Sequence, residues 1–322
     1  MKKFLYKILS LMAILLIIPF TIIEIVLLHK VNEYSYKYNY VLEHKNDIRT
    51  LLLGNSHIAQ GLIPDSMSEG TFNCAIAGRE IIYDFELAKI LLPQLDKLEC
   101  VIIPFDYIQF YLGRSSANPK GIGRDIGEFN ATRKCMYYKY MGLRVDEFWY
   151  WSEFVNSKLN FMSRLYISDK EARECDSLGF TKLPSIKLRS QNWKYCALPD
   201  IINIHAPVDT ELNYQLHKGY KNLVRLVSQK RAVLILLGTP MYKTYRDYMV
   251  PEVKKEMVDF AMKLKQEYSN IIYLDYTDDY RFGDSDFWDS SHLSEVGAIK
   301  FSKILTEDIK KETQKLKLTS FY

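Results

Sequence analysis

The sequence predicts an α/β protein, a three-layer sandwich on a mostly parallel sheet, preceded by one transmembrane helix. Two observations predict the sandwich. Short apolar runs of strand length recur along the chain, and segments with apolar residues at helical spacing separate them. Strands that alternate with helices form parallel sheets covered on both faces. A third observation, a long apolar run close to the N-terminus, predicts the membrane helix.

The apolar run covers residues 8–28, and a helix needs about 20 apolar residues to cross a bilayer. Lys2, Lys3 and Lys7 precede it, so the positive-inside rule keeps the N-terminus cytoplasmic and the following chain outside. The alternative is a cleaved signal peptide, but the run is long and no small-residue cleavage site follows it. We therefore predict an uncleaved anchor over residues 1–30 and a single-pass protein with an extracytoplasmic domain.

The remaining chain divides by composition. Residues 31–47 are polar and rich in Tyr and Lys, which indicates a juxtamembrane connector, and residues 48–312 contain the α/β pattern. Within this domain the alternation breaks down at about 107–206, a segment rich in Tyr, Trp, Arg and Asn that we interpret as an insertion or cap. Its aromatic side chains either line a cleft or form a small satellite core. Residues 313–322 are predicted to be a C-terminal tail.

Strands and helices of the predicted domain follow from apolar periodicity and from turn residues. A proline opens the third helix, and Ser294 is a plausible N-cap of the last. The acidic Glu24 in the anchor is expected to reach the interface or a partner helix. Strands are predicted at 48–53, 71–76, 100–105, 232–237 and 270–275, and helices at 80–95, 210–229, 251–268 and 294–311.

Composition and motifs exclude several classes of function. The formal net charge is +4, with 43 basic and 39 acidic residues, which gives no field that favours nucleic acid. The chain has no HExxH, P-loop or GxGxxG motif, and its five cysteines lack metal-ligand spacing, so no metal and no cofactor are predicted. Cys175 and Cys196 could form a disulfide in an oxidising compartment.

The first motif is Gly54-Asn55-Ser56-His57, directly after the first predicted strand. In an open parallel sheet, ligands bind beyond the carboxyl ends of the strands, so Ser56 lies where a hydroxyl can meet substrate. Its backbone N–H can face a developing oxyanion. The alternative is an ordinary small polar residue at the end of a strand.

The second motif, Asp289-Ser290-Ser291-His292, precedes the last predicted helix. A serine hydroxyl needs a base near neutral pH, and histidine titrates in that range. A carboxylate three residues away can hold the imidazole in the required tautomer. The alternative is a capping Asp289 and a surface His292.

Together these motifs resemble those of the SGNH (GDSL-like) hydrolase superfamily, over residues 48–309 without the middle segment. Gly297 and Phe301 fit the usual sequel to the second motif. The resemblance implies a flavodoxin-like three-layer fold. It is strongest to membrane-anchored members that act on cell-envelope polymers, such as polysaccharide O-acetyltransferase-type proteins and the D-alanyl transfer protein of lipoteichoic acid synthesis.

The resemblance also implies roles for residues. Ser56 matches the nucleophile, His292 the base and Asp289 the orienting acid. The oxyanion donors would be the N–H groups of Ser56 and Gly78, with the Asn73 side chain as a further candidate, because the asparagine usual after the third strand is absent here. A missing donor costs about 3 kcal/mol of transition-state stabilisation.

Asn55 also departs from the family pattern, since it replaces the usual aspartate of the first motif. Two further residues are candidates for substrate binding. His57 either contacts substrate or caps a helix, and Thr239 either lines the cleft or belongs to an ordinary turn at the end of a strand.

The predicted function is a serine-dependent acyl-ester hydrolase or O-acyltransferase that acts on cell-envelope glycans or lipid-linked polymers outside the cytoplasm. The expected partners are an acylated glycan or envelope polymer, the membrane and a polytopic membrane acyltransferase, without nucleic acid. The alternative is a catalytically silent SGNH-like module that binds glycan or assembles with a membrane O-acyltransferase.

Overall fold

The computed structural model describes residues 2–111, 135–143, 173–196 and 210–319. The chain divides into two compact units. One consists of Met1–Tyr36 and Gly123–Glu174, and the other of Lys37–Ile122 and Cys175–Tyr322. The larger unit contains the sheet and both motifs.

Most predicted elements are present, with ends that differ by a few residues. The strands are β1 (Thr50–Leu52), β2 (Thr71–Asn73), β3 (Cys100–Pro104), β4 (Val233–Gly238) and β5 (Ile271–Asp275). The labelled helices are α1 (Lys2–His29), α2 (Glu33–Glu43), α3 (Ser56–Ala59), α4 (Ile81–Leu91), α5 (Tyr107–Tyr111), α6 (Thr210–Gln229), α7 (Lys243–Arg246), α8 (Pro251–Glu267) and α9 (Glu295–Thr319).

The five strands form one parallel sheet in the order β2-β1-β3-β4-β5, which confirms the predicted fold class. Leu51 of β1 is in register with Phe72 of β2 on one side and Val101 of β3 on the other. The strand order reverses between β1 and β3, and open α/β sheets bind ligands outside the carboxyl ends of strands at such a point. The first motif leaves β1 at this place.

Both faces of the sheet are buried, which explains why β1, β3 and β4 read as continuous apolar runs. One face joins Leu52, Ile102 and Ile235 to Phe301 and Leu305 of α9 in a single core cluster. Burial of this kind stabilises by roughly 25 cal/mol per Å² of apolar surface. The two ends of the α/β domain are thus held together by the same core.

Most of residues 31–47, which the sequence indicated as a polar juxtamembrane connector, form helix α2. The side chain of Lys37 is fully buried and donates to the carbonyl of Ala75. The ring of Tyr40 stacks on Phe72 at a centroid distance of 4.1 Å. Lys and Tyr bury their apolar parts while a polar end keeps a partner, so a polar composition concealed a packed helix.

Helix α9 continues to Thr319, through most of the residues 313–322 that the sequence indicated as a C-terminal tail. Lys310, Lys311 and Lys315 each form an ion pair with an acidic residue one turn earlier. Such pairs stabilise an exposed helix by a few tenths of a kcal/mol each. The charged end of the chain therefore extends the helix.

Residues 175–196 of the middle segment pack against the sheet of the larger unit. Phe180 and Trp193 are buried in the same core cluster as the sheet residues. The backbone N–H of Asn73 donates to the carbonyl of Leu178 at 2.9 Å. These two aromatic side chains are core residues, while most of the predicted insertion at 107–206 lies outside the described residues.

The smaller unit contains α1, a 28-residue helix that is long and apolar enough to cross a membrane or to serve as a signal sequence. Near its end, Glu24 forms an ion pair with Lys139. The hydroxyl of Tyr140 donates to the carbonyl of Leu27 at 3.0 Å. Glu24 thus has a partner within its own chain.

Cys175 and Cys196, which the sequence allows to pair in an oxidising compartment, do not form a disulfide with each other. Cys196 is exposed and carries a free thiol, whereas Cys175 is buried.

A glycine makes the turn from β1 to α3 possible. Gly54 has φ of +120°, and a Cβ built there would lie 2.2 Å from Cδ of Pro104. Only glycine fits both the backbone conformation and the close approach to β3.

We expect Gly54→Ala to lower the free energy of unfolding by about 3 kcal/mol, because strain at positive φ and the clash with Pro104 add. Chemical denaturation followed by tryptophan fluorescence measures the change. The matched control is Gly283→Ala, where a Cβ meets nothing within 4 Å and the backbone is extended. Equal effects of the two substitutions would contradict this account of Gly54.

Candidate active site

Ser56 begins the short helix α3, immediately beyond the carboxyl end of β1. Asn55 precedes it as the N-cap, and its side-chain oxygen accepts the backbone N–H of His57 at 3.1 Å. Ser56 remains half-exposed, while both of its neighbours are buried. The cap therefore holds the turn and leaves the serine hydroxyl accessible.

The second motif forms a tight loop that ends at α9. An isolated antiparallel bridge joins Phe287 to Leu293, and the backbone N–H of Trp288 donates to the carbonyl of His292 at 2.8 Å. Ser294 caps α9 as predicted, since its hydroxyl accepts the backbone N–H of Gly297 at 3.2 Å. The loop is closed at both ends.

The structure brings Ser56, His292 and Asp289 together. The serine hydroxyl lies 2.9 Å from Nε2 of His292. On the other side of the ring, Nδ1 lies 2.9 Å from Oδ2 of Asp289. Asp289 also accepts the backbone N–H groups of Ser291 and His292 at 2.8 Å each. The three side chains form a continuous chain of hydrogen bonds.

Asp289 is held in its ionised form. Burial alone raises the pKa of a carboxyl group, but the charge of His292 and the hydrogen bonds from His292 and from the Ser291 backbone lower the pKa of Asp289 to about 2. An ionised Asp289 accepts the proton on Nδ1, so Nε2 of a neutral His292 can accept the serine proton. This arrangement suits a base that activates a hydroxyl.

A second histidine–carboxylate pair lies beside the first. Nδ1 of His57 is 2.7 Å from Oδ2 of Asp106, and both side chains are buried. The ring of His57 lies 5.1 Å from the ring of His292, measured between centroids. Sequence reasoning missed Asp106, although its position directly after β3, on the same sheet edge as Ser56, was a signal.

A buried ion pair holds the backbone of the turn between β1 and α3. The backbone N–H of Gly54 donates to Oδ1 of Asp84 at 3.0 Å, and Arg79 donates to the same oxygen at 3.2 Å. Burial raises the pKa of Asp84 to about 6, although Arg79 and the Gly54 N–H oppose the shift. Neither charged residue belonged to a sequence motif, so this support became visible only in the structure.

The predicted oxyanion donors differ in their environments. The side-chain nitrogen of Asn73 donates to the carbonyls of Ile58 and Leu62, at 3.0 and 2.9 Å. The Asn73 amide is thus already engaged in holding the segment after Ser56, which corrects the expectation that it serves an oxyanion. Gly78 lies half-exposed in the turn after β2, with φ of +67°.

The two candidates for substrate binding are both buried. His57 is 5% exposed and its ring is oriented by Asp106, so it lies beneath the surface of the site. Thr239 follows β4 on the same sheet edge and is 2% exposed. Its hydroxyl has no hydrogen-bond partner in the described part of the chain. Neither side chain presents an open surface to a ligand.

Acidic side chains after β5 are engaged with arginines. Asp278 pairs with Arg246, and Asp279 pairs with Arg281. Across residues 2–111, 135–143, 173–196 and 210–319, no cluster of three or more His, Cys, Asp or Glu side chains is arranged to hold a metal ion.

We expect Asp289→Asn to reduce the stability of the folded protein at pH 7 by about 2 kcal/mol, from the lowered pKa of this carboxyl group. Because the folded-state pKa is depressed, the contribution is present above about pH 4 and is lost as the pH falls through 2. Denaturation across this range measures it. The exposed Asp65→Asn is the control, and the same acid dependence in wild type and Asp289→Asn would contradict the assignment.

Comparisons with known proteins add little to this geometry. No family model matches the chain, and no curated protein matches it. Among solved structures, it is similar to one described as a "putative platelet activating factor from Streptococcus pneumonia". The identity is 12%, the match covers 92% of this chain and 97% of that chain, and the TM-score is 0.39. At this level the likeness carries no functional argument.

Proposed function

We propose that the protein is a serine-dependent acyl-ester hydrolase or O-acyltransferase of the SGNH type, with Ser56 as nucleophile. The observation that carries the proposal is the hydrogen-bonded chain from Ser56 through His292 to Asp289. A hydroxyl, an imidazole and a carboxylate in this order form the constellation that activates serine on several unrelated folds. The proposal therefore depends on the distances among these three side chains and on the role that each can take in proton transfer.

In the first half of the proposed reaction, Ser56 Oγ forms a bond to the carbonyl carbon of an ester while His292 takes the hydroxyl proton. The tetrahedral intermediate then breaks its bond to the leaving alcohol, which receives the proton from His292. The acyl group remains on Ser56. Asp289 stays ionised throughout and stabilises the imidazolium.

In the second half, an acceptor hydroxyl attacks the acyl-enzyme, and His292 takes and returns a proton in the same way. Water as acceptor gives hydrolysis, and a sugar hydroxyl gives transfer. The N–H groups of Ser56 and Gly78 are the proposed oxyanion donors, because each follows the carboxyl end of a strand at the edge where Ser56 lies.

The cell envelope is proposed as the place of action. Helix α1 is long and apolar enough to anchor the chain, and three lysines precede the apolar run. A domain tethered at the outer face would meet envelope glycans and lipid-linked polymers at high effective concentration. A polytopic membrane acyltransferase would be a suitable source of acyl groups for such a domain.

A second candidate function is a catalytically silent module that binds glycan or assembles with a membrane O-acyltransferase. The engagement of Asn73 favours it, because this amide is not available as an oxyanion donor. Glycan binding that persists in Ser56→Ala, without turnover by the wild type, would select this function.

We expect a fluorophosphonate probe to label the wild-type protein at Ser56, because the probe reacts with a serine activated by a base. Mass spectrometry of the digested protein locates the adduct. His292→Ala should reduce both labelling and acetyl-ester hydrolysis by several orders of magnitude.

The matched control is Ser66→Ala, at a half-buried serine on a 3₁₀ turn, which should label like the wild type. Ser56→Ala should remove the adduct. An unlabelled wild type, or an adduct that survives Ser56→Ala, would contradict the proposed nucleophile.

We expect a membrane-impermeant maleimide to modify Cys196 on intact cells, since this exposed thiol belongs to the α/β unit that we place outside the cytoplasm. Mass spectrometry of the modified peptide measures the reaction. Cys196→Ser is the control that removes the site. Modification that requires prior permeabilisation of the cells would place this unit on the cytoplasmic side.

A further inference from the structure

Residues 185–196 of the middle segment lie against the loop that contains the second motif. From this segment, Nη1 of Arg189 donates to the carbonyl of Asp284 and to the carbonyl of Phe287, each at 2.7 Å. The Arg189 side chain is half-buried. The acyl-transfer steps do not involve these residues. A cation from a separate segment therefore binds the backbone just before the second motif.

The peptide group between Phe287 and Trp288 is held at both ends. Its carbonyl accepts the hydrogen bond from Arg189, and its N–H donates to the carbonyl of His292 at 2.8 Å. Trp288 directly precedes Asp289 in the chain. Because a peptide group is planar and rigid, a shift of its carbonyl also moves its N–H. Arg189 is thus connected to the backbone of His292 through a single rigid group.

Stacking on Trp193 fixes the guanidinium group of Arg189. The guanidinium carbon lies over the indole ring, 4.1 Å from its centroid. Trp193 is itself 6% exposed and belongs to the same core cluster as the sheet residues. A guanidinium over an indole face is attracted by the ring and still donates hydrogen bonds in its own plane. The buried ring therefore sets the position from which Arg189 donates.

Aromatic contacts join the same segment to the loop. The ring of Trp193 meets Tyr242 edge-on at a centroid distance of 4.7 Å, and Tyr242 meets Phe287 edge-on at 5.4 Å. The backbone N–H of Tyr242 donates to the carbonyl of Ser290 at 3.0 Å. The Tyr242 hydroxyl donates to Oδ1 of Asp284 at 2.8 Å. The aromatic contacts and the Arg189 hydrogen bonds thus converge on the loop at Phe287.

We propose that Arg189 is a positioning residue that holds the loop of the second motif in the geometry in which His292 reaches Ser56. This inference rests on the proposed function and gives residues 185–196 a part in it. The serine hydroxyl lies 2.9 Å from Nε2 of His292, and a displacement of about 1 Å can cost a hundredfold in rate. Arg189 acts through the backbone, so its effect falls on the chemical step and not on binding of the acyl compound.

Other contacts of the loop act differently. The bridge between Phe287 and Leu293 closes the loop on itself and does not connect it to residues 185–196. Lys194, from the same segment, pairs with Asp284 at 2.8 Å, but both side chains are more than a third exposed, and solvent screens such a pair. Arg189 is a half-buried charge that binds the loop backbone from outside the loop.

The rate of Ser56 labelling by a fluorophosphonate tests the proposal in the full-length protein in detergent. In Arg189→Gln, the maximal rate at saturating probe should fall by about a hundredfold, and the probe concentration for half of that rate should not change. Each variant is assayed well below its unfolding temperature, so that loss of folded protein does not contribute. A wild-type maximal rate in folded Arg189→Gln would overturn the proposal.

The matched control is Lys187→Gln, which removes an equal charge from an exposed side chain of the same segment and should label like the wild type. Arg189→Lys separates charge from geometry. Lysine keeps the charge, but it is shorter and lacks the planar group that stacks on Trp193, so the maximal rate should stay low. Full recovery of the rate with lysine would overturn the proposed positioning.

Hydrogen exchange followed by mass spectrometry reports on the loop directly. The backbone N–H groups of Trp288, Ser291 and His292 are hydrogen-bonded within the loop, and they should exchange faster in Arg189→Gln than in the wild type. The amides of β3 should keep their wild-type exchange rates in both proteins. Unchanged exchange in the loop would overturn the proposal.

Failure of the inference is distinguishable from failure of the proposed function. An unlabelled wild type would reject Ser56 as the nucleophile, whatever the exchange rates of the loop. Labelling at Ser56 at equal rates in the wild type and in Arg189→Gln would retain the serine chemistry and reject the role assigned to Arg189.

Discussion

The hydrogen bond between the Ser56 hydroxyl and Nε2 of His292 joins groups 236 positions apart, and the rest of the site depends on it. Neither group can reach the other through local structure. Each is placed by the end of an element, Ser56 by β1 and His292 by the loop before α9. The core beneath them holds these elements together, because Leu52 and Phe301 belong to one cluster. Packing of the sheet thus sets a distance on which proton transfer depends.

Additional contacts tie α9 to the segment that follows α3. The hydroxyl of Ser302 in α9 accepts the backbone N–H of Ile63 at 2.8 Å. A Cβ on Gly297 would lie 2.0 Å from the carbonyl of Asp286, so glycine allows α9 to begin close to the second motif. A displacement of about 1 Å can cost a hundredfold in rate, which explains the value of such rigid connections.

The polar residues beneath Ser56 form two buried histidine– or arginine–carboxylate pairs. The Asp84–Arg79 pair holds the Gly54 N–H, and the Asp106–His57 pair flanks the proposed base. Removal of one partner from a buried pair leaves an uncompensated charge, which is strongly destabilising. These groups therefore couple the stability of the turn to the electrostatics of the site. A buried polar network beneath a nucleophile can both hold the backbone and set the local charge.

The sequence by itself determined the fold class, the approximate positions of the strands, and the residues Ser56, Asp289 and His292 as candidates. Apolar runs, turn glycines and a three-residue Asp–His spacing are local signals that follow from backbone and side-chain chemistry. Helix α2 was not predicted from the sequence. Lys37 and Tyr40 are polar residue types, although the apolar parts of their side chains are packed.

Only the tertiary structure decided which groups meet. The engagement of Asn73 with backbone carbonyls and the pairing of His57 with Asp106 depend on contacts between separate segments. Local patterns specify elements and their buried faces. The distances between side chains on different elements follow from how those faces pack, and a single sequence does not contain that information in readable form.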